Sequence, residues 1–284
     1  MSRVTARFRA FAIFCTLGLL CLACQDDGTP QTSNGCLDRP VRMAVASSLR
    51  ELSVFLIQSL LDHNPHVLVE PIFGASSAHA RQLTLGAPID VFVSADANIV
   101  DDLITRELLV PGSAFEFATG RLSLVARESR MHTPPNAADD AQSVDRVGLA
   151  GFDANDIARI AIPSRAVPLG RYARAWLTSQ GQLKYLSGKI VETENARATL
   201  AAVDAGLVDL AIIYRSDLRL AKTATVLGHI DPSEYPRIRY VAARTQRAPN
   251  CESIDRALAA WGSPLLHSEL VRAGFFPSFS LNPL

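Results

Sequence analysis

The chain has 284 residues, with 28 Lys+Arg against 28 Asp+Glu, 48% hydrophobic and 20% charged residues, 16 Gly and 16 Pro. It is too apolar and too low in net charge for a disordered chain, and a formal charge of zero supplies no cationic field for a polyphosphate backbone, which argues against nucleic acid as a partner. The length suits one large domain or two medium ones, each with its own core.

Residues 1–23 carry Arg3, Arg7 and Arg9 and no acid, and an uncharged apolar run extends from Ala10 to Cys24. That run is shorter than the roughly 20 residues a spanning helix needs. A basic segment followed by a short apolar one reads as a secretory signal. Its end, Leu20-Cys21-Leu22-Ala23-Cys24, resembles the lipobox of bacterial lipoproteins, which implies lipidation of Cys24 as the new N-terminus. Cys21 departs from the usual Leu of that pattern, and simple cleavage is the alternative. Loss of the leader leaves 25 basic against 28 acidic residues, a mildly acidic mature protein. Of the five cysteines, only Cys36 and Cys251 then remain unmodified, and in an oxidising compartment they are candidates for a disulfide, with two separate buried thiols as the alternative. There is no C-x-x-C pair, and the His63-Asn-Pro-His66 spacing straddles a proline turn, so a zinc site has little support.

Gln25 to Gly35 holds no large apolar residue and reads as a flexible tether within 24–37. Strand and helix signals then alternate. A strand is predicted at Val41–Ala46, a helix at Leu49–Leu61 from its apolar stripe, a strand at Val67–Phe73, a helix at Ala78–Leu85, a strand at Asp90–Val93 and a helix at Asn98–Arg106. The same grammar restarts with strands at Arg121–Ala126 and Arg159–Ile162, separated by a surface excursion, 128–156, that contains Pro134-Pro135. A helix follows at Gly170–Gln180, a strand at Lys189–Glu192, a helix at Ala196–Ala205 and a strand at Asp209–Tyr214. Strands at Thr223–Leu227 and Arg237–Ala243 precede helices at Ile254–Trp261 and Leu265–Ala273. This alternation predicts an α/β protein with two mostly parallel sheets flanked by helices, hence two lobes with a cleft between them. The expected division is 38–118 for the first part of lobe 1, 119–218 for lobe 2 and 219–284 for the return to lobe 1.

Ligands of open α/β sheets bind at the carboxyl ends of strands, where the next helix offers free N–H groups. Ser47-Ser48 follows the first predicted strand and Gly74-Ala75-Ser76-Ser77 the second. Each alone is explained by helix capping or a tight turn. Together, at corresponding ends of neighbouring strands, they suggest an anion site built without Lys or Arg.

Three runs carry a resemblance: Ala46-Ser47-Ser48-Leu49; Phe73-Gly-Ala-Ser-Ser-Ala-His-Ala-Arg-Gln-Leu83; and Gly86-Ala-Pro-Ile-Asp-Val-Phe-Val-Ser-Ala-Asp96. They resemble successive motifs of the periplasmic molybdate-binding proteins of ABC transporters, the ModA family, and the third run is the most specific. Val167-Pro-Leu-Gly-Arg-Tyr172, Glu194-Asn-Ala-Arg197 and Ala211-Ile-Ile-Tyr-Arg-Ser-Asp217 are similar to the family's later segments, in the family's order, so that the likeness covers residues 41 to about 275. The resemblance implies a two-lobed periplasmic-binding-protein fold of type II, closing by hinge motion on one tetrahedral oxyanion. It implies ligand contacts from the hydroxyls and N–H groups of Ser48 and Ser76, the backbone N–H groups at Leu169 and Ala196, and the phenol of Tyr214. No catalytic residue, cofactor or direct protein–metal bond is implied, since molybdenum would arrive as its oxyanion.

Some positions depart from the family pattern. Ile162-Pro-Ser-Arg165 replaces its usual polar turn, Leu169 is bulkier than the small residue often found there, and Arg197 and Arg215 flank two proposed ligand positions, where a structural or steering role is expected. The implied function is an exported, lipid-anchored receptor at the membrane outer face or the outer membrane. It would deliver molybdate or tungstate to a separate permease and ATPase, with a monomer as the expected state. The chain has no G-x-x-x-x-G-K-[ST] loop of its own. Sulfate or another oxyanion, and an oxyanion-sensing receptor, are the alternatives. A secreted serine hydrolase is disfavoured: His79, three residues after Ser76, is expected at the helix surface, and no G-x-S-x-G elbow is present.

Overall fold

The computed structural model describes residues 39–127 and 157–278, all within one unit, Ser33–Leu284. The leader, Cys24, Cys36 and the 128–156 excursion lie outside the described residues. In chain order the elements are β1 (Val41–Ala46), α1 (Arg50–His63), β2 (Val69–Gly74), α2 (Ser76–Thr84), β3 (Val91–Ser94), α3 (Ala97–Thr105), β4 (Phe115–Gly120) and β5 (Leu122–Arg127). They continue with β6 (Ile160–Pro163), α4 (Pro168–Ser179), α5 (Leu183–Leu186), β7 (Ile190–Thr193), α6 (Ala196–Asp204), β8 (Leu210–Tyr214) and β9 (Ala224–His229). The last are β10 (Ile238–Arg244), α7 (Glu252–Ala259), α8 (Pro264–Arg272) and β11 (Phe276–Pro277).

Two sheets form, in the orders β11-β4-β10-β3-β1-β2 and β7-β6-β8-β5-β9. Both are mixed, which corrects the expectation of mostly parallel sheets. In the first, β2, β1 and β3 are parallel, whereas β10, β4 and β11 run antiparallel to their neighbours. In the second, β7, β6 and β8 are parallel and β5 pairs antiparallel with both β8 and β9. The parallel halves are the β-turn-α units visible in the sequence, and the antiparallel strands β4, β5, β9 and β10 flank the points where the chain crosses between lobes.

The first crossing is abrupt, because only Arg121 separates β4 from β5; these strands lie in different sheets, and the sequence prediction of a strand at Arg121–Ala126 covers only the second. Gly120 sits at this corner, where a Cβ would come within 2.9 Å of the Tyr240 ring. The return crossing follows β9, which belongs to the second sheet. Strand β9, residues Ala224–His229, thus lies in the second sheet, beyond the expected boundary at 218. The two crossings are tied together where the Leu122 N–H donates to Tyr235 Oη over 3.0 Å.

Strands β1, β3, β6 and β8 are buried along nearly their whole length, as strands covered on both faces must be. Near the crossings the core is aromatic: Phe117 packs on Trp261 with ring centroids 5.0 Å apart, and Tyr240 meets Phe275 edge to face at 5.0 Å. Among the described residues no helix is long and apolar enough to cross a membrane. Cys251, which precedes α7, is part of a disulfide.

Candidate anion-binding site

Ser48, Ser76, Leu169, Ala196 and Tyr214 all line one cavity, with roughly 220 Å³ of atom-free space, together with Ala46, Gly74 and Ala95. Each of the five is almost fully buried, Ser48 being the most exposed at 4% with Ala196. Ser48 and Ser76 come from the first lobe and Leu169, Ala196 and Tyr214 from the second. Among the described residues no charged side chain lines this cavity. A larger groove, with about 1130 Å³ of atom-free space, runs between His63–Leu68 and Glu252–Arg256, but it sits on exposed residues such as His63, His66 and Glu252. Convergence of buried donors, and not size, identifies the site.

Four helix starts point into the small cavity. Ser48 lies in the 3-10 turn Ser47–Leu49 that leads into α1, Ser76 opens α2, Leu169 is the second residue of α4 and Ala196 opens α6. The first N–H groups of a helix have no acceptor within it. Three of these starts are preceded by Ala46, Ala75 and Val167, none of which caps the helix with a side chain. The fourth is capped by Asn195, whose Oδ1 accepts from Ala198 N at 3.0 Å, leaving the Ala196 N–H toward the cavity. Buried, uncapped N-termini need an acceptor, and the helix dipoles favour a negative one.

Helix α4 reaches this position because of Gly170. A Cβ there would overlap the carbonyl oxygens of Pro163 and Ser164, so the helix start can press against the end of β6 only without a side chain. Pro168 supplies the fixed φ suited to a first helical residue. Arg174 holds the same corner by donating to Pro163 O at 2.5 Å and Gly170 O at 3.1 Å. The Ile162-Pro-Ser-Arg165 departure therefore leaves the wall intact.

The serine hydroxyls differ in their partners. Ser76 Oγ accepts from Ala95 N at 3.0 Å. Ser48 Oγ faces the Tyr240 phenol without closing a hydrogen bond of good geometry, and both atoms are buried. Tyr240 in turn meets Tyr214 edge to face at 6.1 Å. Burial first, and then neighbouring Tyr172, Tyr240 and Asp217, raises the Tyr214 phenol well above its ordinary pKa of 10.0. Tyr172 is pushed up to about 12, again chiefly by burial. Both phenols stay protonated, and Tyr214 can only offer a proton to an anion.

The cations nearest the site are already paired. Arg171 contacts Asp96, and Arg197 contacts Asp217 and Glu51, which gives Arg197 the structural place expected of it. Arg215 stacks over Phe276, 5.9 Å from the ring centre. His79 is buried and not at the surface as expected: Nε2 meets Val45 O at 3.2 Å and Nδ1 meets Gln82 Oε1 at 3.1 Å. Neither contact is to Ser76, so this histidine is not placed as its base.

Sequence reasoning overlooked Ala95 and Tyr240. Ala95 stands inside the Gly86–Asp96 run, so its position was visible, but its N–H acquires a role only because β3 lies beside β1 and α2. Tyr240 belongs to no local motif and is brought to Ser48 by the antiparallel pairing of β10 with β3.

The family of bacterial extracellular solute-binding proteins matches residues 41–274. The molybdate-binding protein ModA of Escherichia coli is 27% identical over 172 residues, which cover 60% of this chain and 64% of that protein, just under two thirds of its length. The periplasmic molybdate-binding protein of Azotobacter vinelandii superposes with a TM-score of 0.68 at 21% identity, covering 83% of this chain and 98% of that one. The sulfate-binding protein SubI of Mycobacterium tuberculosis shares the fold with a TM-score of 0.61 at 15% identity, over 85% of this chain and 86% of that one.

Proposed function

The chain belongs to the family of bacterial extracellular solute-binding proteins, and from that premise we propose that it captures molybdate or tungstate outside the cytoplasm for an ABC importer. The observation that carries this reading is the closed ring of neutral donors around one cavity free of charged side chains among the described residues. Ser48 and Ser76 would offer hydroxyls and N–H groups from one lobe. Leu169 and Ala196 would offer N–H groups, and Tyr214 its phenol, from the other. A dianion brought between these groups is solvated by fixed dipoles, and each charge-assisted hydrogen bond contributes on the order of 1.5–3 kcal/mol. Several together support submicromolar affinity.

The donors also define what is refused. Ser76 Oγ already accepts the Ala95 N–H, so its own proton is the group left for a ligand. An oxyanion with acceptor oxygens only satisfies such a site, whereas a protonated phosphate brings a donor that only a serine hydroxyl turned from donor to acceptor could receive. Sulfate matches in charge and shape and differs mainly in size. A permease and its ATPase would be the partners, and Cys24 the lipid anchor that keeps the receptor at the membrane. Metal analysis of protein purified without chelators, followed by competition among molybdate, tungstate, sulfate and phosphate, tests the assignment. Bound molybdenum or tungsten displaced by neither sulfate nor phosphate is the expected result.

A further inference from the structure

We propose that Arg197 is a closure latch that sets how long the bound anion stays, by bridging Asp217 on its own lobe to Glu51 and the Ser47 carbonyl on the other. The proposal rests on the reading of the site as an oxyanion receptor. The sequence presents Glu194-Asn-Ala-Arg197 and Tyr214-Arg-Ser-Asp217 as separate segments, and only the fold joins their ends. Arg197 follows Ala196 in α6, Asp217 lies three residues after Tyr214, and Ser47 precedes Ser48. Every partner of the guanidinium is thus a short step from a residue that lines the cavity.

The geometry uses all three nitrogens. Nη1 lies 3.0 Å from Asp217 Oδ1 as an ion pair that closes no hydrogen bond of good geometry, Nε donates to Ser47 O at 3.1 Å, and Nη2 donates to Glu51 Oε2. A planar fork of donors can hold three acceptors in two lobes at once, and a lysine ammonium on its flexible stem cannot. The Arg197 side chain is 20% exposed and Glu51 34%, so the bridge is partly withdrawn from water and screened less than a surface pair. The contacts to Glu51 and Ser47 cross the cleft, so opening the hinge would have to break them. Such contacts govern escape, because groups that meet after encounter act on dissociation and hardly on association. A second bridge, from Arg171 to Asp96, also spans the lobes. It is more exposed on the arginine side, at 41%.

The Asp217 carboxyl is the tuning element. It is fully buried and pushed up to about 7, chiefly by burial; Arg197 opposes this, Glu51 adds to it and Arg219 lowers it. The Tyr240 and Tyr214 phenols face it as well. One cation shared between two carboxylates serves Glu51 better when Asp217 carries a proton.

The test uses the full chain and radiolabelled molybdate released into an excess of unlabelled anion, with the dissociation constant measured separately. Glu51→Gln removes the far side of the latch without touching the cavity lining. It should raise the release rate at least roughly tenfold with association within about twofold, and leave the ligand-free melting temperature within about 2 °C. Arg197→Lys keeps the charge and loses the fork, and should also release faster. Release from Glu51→Gln at the unmutated rate overturns the latch. Failure of the unmutated chain to hold any oxyanion overturns the site reading instead. In that event the radius of gyration of the ligand-free chain decides: expansion in Glu51→Gln supports the latch, and an unchanged radius overturns it.

Discussion

The backbone N–H of Ala95 donates to the hydroxyl oxygen of Ser76 over 3.0 Å, so the serine reaches the cavity with its acceptor side engaged and its proton available. Ser76→Ala removes that donor while leaving the helix start in place, and strands the buried Ala95 N–H as well. Affinity for molybdate should fall at least roughly tenfold, as it should for Ser48→Ala, with the far-ultraviolet circular dichroism unchanged. Calorimetric titration checks both. Undiminished affinity in the two variants would mean that the anion sits elsewhere.

Gly170→Ala should do a different kind of damage. Its Cβ would overlap the carbonyls of Pro163 and Ser164, which are backbone and cannot swing aside. The start of α4 must shift, taking the Leu169 N–H with it. A stability loss of about 3 kcal/mol is expected, together with weakened binding, and denaturant unfolding with and without molybdate separates the two effects.

These two sites show what was legible in the sequence. The β-turn-α units, and the Ser48 and Ser76 turns that follow β1 and β2, could be read from local pattern because the residues that make each turn are neighbours in the chain. The five predicted contacts meet at one cavity because the resemblance supplied their long-range arrangement. Strand β4 was not legible, since Phe115–Arg127 changes sheet within one residue. His79 was misplaced because helical spacing says which residues share a face and not whether that face is covered. Tyr240 and the Arg197–Asp217 pair depend on strand order, which no local pattern encodes.

Asp217 should make the protein pH-sensitive. Its pKa in the folded chain is raised from 3.8 to about 7, so between those values the folded state holds a proton that the unfolded state has released. Stability from this group is therefore fully present at the acid end and is lost as pH rises through about 7. Anion affinity should follow the same direction, because an ionised Asp217 repels the ligand and competes for Arg197. Melting temperature should decline in this component from roughly pH 4 to roughly pH 7, and affinity across roughly pH 6 to 8, and Asp217→Asn should flatten both dependences. An equal slope in the variant would assign it to another group.

The disulfide at Cys251 is proposed to reach Cys36, which would fasten the start of the folded region to α7. Reduction should then lower stability by about 2–4 kcal/mol and barely alter affinity, because Cys251 does not line the cavity. Peptide mapping of the unreduced protein identifies the partner, and a Cys251 peptide joined to any cysteine other than Cys36 contradicts the pairing.

The most direct test of the whole account is calorimetric titration of the purified chain with molybdate and, in parallel, tungstate, sulfate and phosphate at neutral pH. The account predicts one site per chain, submicromolar binding of molybdate or tungstate, and no measurable heat with phosphate. Absence of binding to both molybdate and tungstate at micromolar concentration would contradict it.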